Sequence, residues 1–306
     1  MAKFRLEKAV ESSYSFAFFR FLSVLGIAWF PTVVFVALIC AVALVLWPEV
    51  QGLQGLMTST APKFAYNLPP EEQQRLLHLF LNAGRFFGLV GLAAVVTRSM
   101  ILVGVLETAL GKRQGPNFFF FSLGAPVWRL IGAVILACIL TAVVAIVTGV
   151  AGGALFWAVQ HFAPQAAIAA AIVLGAIGAL WMIYFVVRLF FLLPPAVVAE
   201  ERIAIGRAWS LGGGNFWRIF ALALAIWLPV AIVASILSSA LFGMQRAEMF
   251  KAMMGSSSLM DAMHVATSHY GVLLIAMAVF QIVYLTLQLG LGAGAMASAY
   301  KGASEG

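Results

Sequence analysis

Six stretches of this chain, residues 22–47, 86–109, 127–159, 166–198, 217–243 and 270–298, are apolar over more residues than a helix needs to cross ~30 Å of hydrocarbon. Runs of that length have no stable home in water. In lipid their backbone groups must pair with one another, and an α-helix achieves this within one segment. The fold class expected is therefore all-α, a polytopic membrane protein with six transmembrane helices. Composition agrees, because 63% hydrophobic and 9% charged residues cannot provide the polar surface of a 306-residue soluble globule. An even number of spans puts both termini on one side.

The connecting segments indicate which side. Lys3, Arg5, Lys8, Arg20, Lys112, Arg113, Arg129, Arg202, Arg207, Arg218 and Lys301 flank one face, eleven cations against five on the other, Lys63, Arg75, Arg85, Arg246 and Lys251. Lys and Arg are retained in the cytoplasm on insertion, so both termini are expected there, in a bacterial inner membrane. The net charge of +7 then reads as a topology signal and as attraction to anionic headgroups. No basic run with interleaved aromatics lies outside the spans, so nucleic acid is not an expected partner. The first apolar run far exceeds the ~7–15 residues of a signal core, which makes it an anchor and not a cleaved signal. Cys40 and Cys138 both fall inside spans and build no disulfide framework.

Within this pattern a segment recurs. Residues 12–31, SSYSFAFFRFLSVLGIAWFP, align without a gap to residues 210–229, SLGGGNFWRIFALALAIWLP, matching Ser12 to Ser210, Arg20 to Arg218, Trp29 to Trp227 and Pro31 to Pro229. A third copy, Ser122 to Ala137, carries Trp128 and Arg129 after a one-residue deletion. Arg98, Arg188 and Gln288 recur at comparable depth in the even spans. The single membrane domain, 1–306, is thus expected to be three two-helix units, near 1–113, 114–200 and 201–306, which superpose. Each would start with an amphipathic helix in the headgroup region, where aromatics such as Phe18, Phe19, Trp217 and Phe118 to Phe121 anchor and the following Arg meets phosphate.

Chemistry-bearing residues are few. Arg98 and Arg188 lie inside spans, where a charge needs a partner, water or the bundle interior. Glu107, Glu200 and Gln288 join them, with Arg20, Arg129, Trp217 and Arg218 at the interface, as candidate contacts for lipid or a partner. Arg188 is expected to meet a carboxylate, a carbonyl freed near Pro194 and Pro195, or a lipid phosphate. Small residues four apart, Gly84 and Gly88, Gly149 and Gly153, Ala171, Gly175 and Ala179, Gly290 and Gly294, are expected to be close-packing faces. Gly212 to Gly214 read as a flexible turn, and Asn67 as the cap of a helix with Pro69, Pro70, Glu71 and Glu72 in its first turn. Between residues 244 and 269 lie six of the twelve methionines, with His264 and His269, a set of thioether and imidazole that suits Cu(I). The same methionines also suit a helix on a membrane surface, and Asp261, His264 and His269 lack a ligand spacing. No metal or cofactor is expected. There is no Ser/His/Asp set, paired carboxylates or HExxH, so no catalytic residue is assigned.

The stretch from Arg188 to Phe220 resembles a broad prokaryotic superfamily, the membrane domain of glycerophosphoryl diester phosphodiesterases and related inner-membrane proteins. Arg188, Pro194, Glu200, Ala208, Trp209, Ser210, Phe216, Trp217 and Arg218 carry the resemblance. It implies a six-span fold. The phosphodiesterase activity of the named enzymes resides in a separate soluble domain, for which these 306 residues leave no room, so it implies no reaction here. The expectation is a non-catalytic scaffold or accessory subunit that binds lipid, a partner membrane protein or another copy of itself. The alternative is a small transporter or lipid-handling permease that uses the intramembrane arginines.

Overall fold

The computed structural model describes residues 4–60, 70–113, 118–254 and 259–305, and among them finds helices and no strands. The helices are α1 (Leu6–Phe19), α2 (Phe21–Thr60), α3 (Pro70–Ala109), α4 (Ala125–Phe162), α5 (Ala167–Phe190), α6 (Leu193–Glu200), α7 (Ile205–Gly213), α8 (Phe216–Met254) and α9 (Leu259–Ser304). Among the described residues six stretches are long and apolar enough to cross a membrane: Phe21–Val42, Gly84–Ala109, Ala125–Phe162, Pro164–Glu200, Phe216–Met249 and Tyr270–Ser304. The chain is an all-α, multi-pass membrane protein. Consecutive long helices pack as antiparallel hairpins, α2 with α3, α4 with α5 and α8 with α9.

The apolar run 166–198 breaks in two. Pro194 and Pro195 open α6, where the missing N–H groups would be unpaired in any case. Every residue from Leu193 to Val198 is buried, because α6 is wedged among α3, α4, α7 and α9. It is the hub of one end of the bundle, the end that also holds both termini. There the core gathers: Val24 and Ile27 of α2, Met100 to Leu106 of α3 apart from half-exposed Leu102, Val127 to Ala137 on one face of α4, Leu222 of α8 and Ala295 to Ala303 on α9.

α1 lies lengthwise and antiparallel against the end of α9. Cβ atoms built on Gly302, Gly294 and Gly290 would come within 2.7 Å of Phe4, 3.0 Å of Ser13 and 3.0 Å of Ala17. Its small-residue face, Ala9, Ser13 and Ala17, is thereby spent on packing, while Phe18 and Phe19 stay exposed. The middle unit starts differently, since Phe118 to Phe121 form no helix. Phe118 and Phe119 instead pack on Trp29, whose indole N–H is donated to the Phe118 carbonyl, and Phe120 is buried.

The other half of the bundle is open. Among the described residues of α4 beyond Ala137, of α5 before Phe185 and of α3 before Ser99, none is buried. The expected close-packing faces at Gly84, Gly88, Gly149, Gly153 and Gly175 therefore meet nothing: a Cβ there has no neighbour within 4 Å, whereas Gly290 and Gly294 do pack, on α1. Spacing sets which side of a helix is smooth, not whether another helix lies against it. The two proline copies also differ in surroundings, with Pro31 buried and Pro229 and Trp227 exposed. Asn67 lies outside the described residues.

Candidate functional site

At the termini-bearing end the polar side chains converge on α6. The Glu200 carboxylate, at its last residue, accepts from Arg202 at 2.7 and 3.0 Å, from the Tyr300 hydroxyl of α9 at 3.2 Å, and pairs with Arg207 of α7 at 3.2 Å. One side chain thus joins α6, α7 and α9. Glu201 follows in the left-handed region, φ 55°, and ends the helix. Its carboxylate meets Lys112 at 3.2 Å, and the same Nζ donates to the carbonyls of Val198 and Ala199 at 3.0 and 2.9 Å. A cation on the last carbonyls of a helix satisfies acceptors that the helix cannot and faces the negative end of its dipole. Lys301 does the same for α3, donating to Ala109 O at 3.3 Å. α3 itself stops at Gly111, whose φ of 78° lets Lys112 N–H return to Glu107 O at 2.9 Å.

Arg188 sits one layer deeper. Its guanidinium lies 3.8 Å over the Trp209 ring, donates from Nε to Trp209 O at 3.2 Å and from Nη1 to the Tyr184 hydroxyl at 2.7 Å. The cradle depends on two glycines. A Cβ on Gly212 would stand 2.5 Å from the Arg188 carbonyl oxygen, and one on Gly213 2.6 Å from Nη2. Gly212 and Gly213 form the last turn of α7 rather than a loose loop, so the flexible-turn reading is corrected for these two, and of the three glycines only Gly214 lies in the turn before α8. Arg188 pairs with no carboxylate among the described residues, and the carbonyl it meets belongs to α7, not to the Pro194–Pro195 turn.

The remaining candidates divide. Arg218 donates to Phe4 O at 2.8 Å and secures the N-terminal segment to α8. Glu107 pairs with Arg113 at 3.5 Å, and Gln288 donates to the Tyr284 hydroxyl at 2.9 Å, the same four-residue step as Arg188 to Tyr184. Trp217 is exposed, with its ring edge-on to Phe216 and Phe220. Arg20 closes α1 through its backbone N–H, and Arg129 is the fifth residue of α4. Neither of their side chains, nor that of Arg98, meets a polar partner among the described residues. Sequence reasoning missed Lys112, Arg207, Tyr300 and Lys301 as a set. A basic residue just past a predicted helix end was the signal for Lys112; nothing local pointed from Tyr300 to Glu200, 100 positions away.

No group of three or more His, Cys, Asp or Glu that could hold a metal occurs among the described residues. An open apolar groove of about 400 Å³ lies between α4 and α5, lined by Cys138, Thr141, Ala142, Ala145, Val186 and Phe190. No family model, curated protein or solved structure matches the chain.

Proposed function

We propose that this chain is a non-catalytic membrane scaffold or accessory subunit, whose work is to bind lipid or another membrane protein. One observation carries the reading: Glu107, Arg188, Glu200, Arg218 and Gln288 are engaged within the fold, while the other end presents exposed apolar side chains to its surroundings. A ring, a carbonyl and a hydroxyl already engage the Arg188 guanidinium. The resemblance to the phosphodiesterase membrane domain fits a part that serves a partner. The orientation that goes with the reading has both termini in the cytoplasm of a bacterial cell, with Arg20 and Arg129 among anionic headgroups.

A second reading, a small permease, is favoured by one residue, Arg98, which stands mid-span with no polar partner among the described residues. Proteoliposomes decide between the two. The scaffold should retain phosphatidylglycerol through detergent exchange and carry no solute or lipid across; saturable flux, lost in an Arg98→Gln variant that still folds, would replace the scaffold by the permease. For orientation, a reporter active only in the cytoplasm should give signal when fused after Lys301 and none near Gly55.

A further inference from the structure

Arg98 stands near the middle of the span Gly84–Ala109, fourteen residues from one end and eleven from the other, or ~21 and ~16 Å of helix. Its side chain is exposed and meets no polar partner among the described residues. A guanidinium brings five donors and a charge that hydrocarbon cannot satisfy, so it needs an anion or water. A lipid phosphate is the nearest general source. However, α3 runs toward the termini-bearing end, and helical side chains lean toward their own N-terminus. For Arg98 that tendency favours the farther headgroups, across a distance greater than one side chain spans.

The surface leading to Arg98 narrows the choice. Gly84, Gly88, Gly91 and Val95 precede it in alternating steps of four and three, which sets all five on one stripe of α3. A Cβ on any of the three glycines would meet nothing within 4 Å, and Val95 is exposed. Such a smooth face lets another helix backbone approach closely, and a cation waits at its end. A second copy of this chain cannot supply the counter-charge at that depth. Of its eleven acidic residues, the three inside spans, Glu107, Glu200 and Glu248, lie within two residues of a span end. Glu107 and Glu200 are also engaged with Arg113 and with Arg202 and Arg207.

We propose that the Gly84–Arg98 face of α3 docks a transmembrane helix of a different protein, one that carries an Asp or Glu at mid-membrane depth, with Arg98 pairing to its carboxylate. The proposal rests on the partner-binding reading above and specifies the partner's chemistry. The glycines give approach, and the buried pair gives selectivity, because a helix without the acid leaves the arginine unsatisfied.

The full chain, labelled with a fluorescent donor in phosphatidylcholine vesicles, is titrated with acceptor-labelled polyleucine transmembrane peptides bearing Asp or Leu at the centre. The Asp peptide should bind about tenfold more tightly, the size of one interhelical polar contact. Arg98→Gln should erase that preference. Gly88→Ile, placed in open space, should weaken the Asp peptide without moving the melting temperature. Equal binding of both peptides, or a preference that survives Arg98→Gln, overturns the proposal. So does phosphatidylglycerol abolishing the preference while native mass spectrometry finds that lipid on the parent and not on Arg98→Gln, which makes phosphate the ligand. Energy transfer between two copies of the chain, lost in Arg98→Gln, also overturns it in favour of a homomeric face. Each of these failures leaves the scaffold reading standing, whereas flux through the parent would remove that reading and leave the peptide preference untouched.

Discussion

The two ends of this bundle obey different rules although the same helices run through both. At the termini-bearing end, α1, α6 and α7 fill the space between the long helices, and cations cap the helix-terminal carbonyls of Val198, Ala199 and Ala109. Toward the opposite end little is buried among the described residues, and apolar side chains such as Ile146, Leu180, Ile236 and Val272 are exposed. Lipid explains why the contrast is tolerated. An apolar side chain facing hydrocarbon loses nothing by being left unpacked, so only the end with irregular backbone must build a protein core.

The sharpest way to break the comparison is a matched pair of truncations. Leu193→Ala empties a fully buried site in α6 and should cost about 2–5 kcal/mol. Leu180→Ala removes the same atoms from a side chain that is 67% exposed and should stay within about 0.5 kcal/mol. Thermal unfolding in detergent reads both. Equal losses would mean that the open half is closed in the folded protein by something as dense as a core.

Glycines repeat the test at finer grain. Gly212→Ala forces a methyl against the Arg188 backbone, which cannot swing away as a side-chain tip can, and should cost about 2–3 kcal/mol. Gly175→Ala meets nothing and should be neutral or stabilising by up to about 1 kcal/mol, the helix-propensity gain. The arginine that Gly212 shelters follows: Arg188→Leu gives up the ring contact and two charged hydrogen bonds and should cost about 1–3 kcal/mol. Arg188→Lys should recover part, since an ammonium keeps the charge and loses the flat face that stacks on Trp209. Full stability in Arg188→Leu would show that the cradle does not hold α7 in place.

How much of this was legible in the sequence depends on the range of the interaction. The spans were plain, because each is set by a continuous apolar run. The break before α6 was hidden inside such a run: Leu192 and Leu193 carry the hydrophobic pattern across, and only Pro194 and Pro195 hint that a new helix starts. Arg188 was recognisable as a charge in need of a partner. That its partner is Trp209 follows from the turn at Glu201, which folds α7 back on α5, and a left-handed glutamate has no sequence signature. The small-residue stripes were all equally visible, yet only Gly290 and Gly294 close on another helix, because α1 lies against that end of α9.

That glutamate gives the smallest and most revealing prediction. Glu201 adopts φ 55°, where a Cβ crowds the backbone at a cost of roughly 1 kcal/mol and glycine is at ease. In return it offers Lys112 a carboxylate at 3.2 Å, from a side chain 68% exposed, and an ion pair so open to solvent contributes between about 0 and 1 kcal/mol. The larger anchor is the lysine's contact with the two carbonyls, which does not involve Glu201 at all. Glu201→Gly should therefore leave stability unchanged or raise it by about 0.5 kcal/mol, and Glu201→Gln, which keeps the strain and drops the charge, should lower it slightly. Salt separates the contributions, since about 1 M salt shortens the screening length to about 3 Å and should erase the difference between the parent and the Glu201→Gln variant while sparing the gain from glycine. A loss above about 1 kcal/mol in Glu201→Gly would show that the ion pair, and not the carbonyl cap, is what fixes α6 against α3, and the packed end would then owe its order to charge rather than to the wedge.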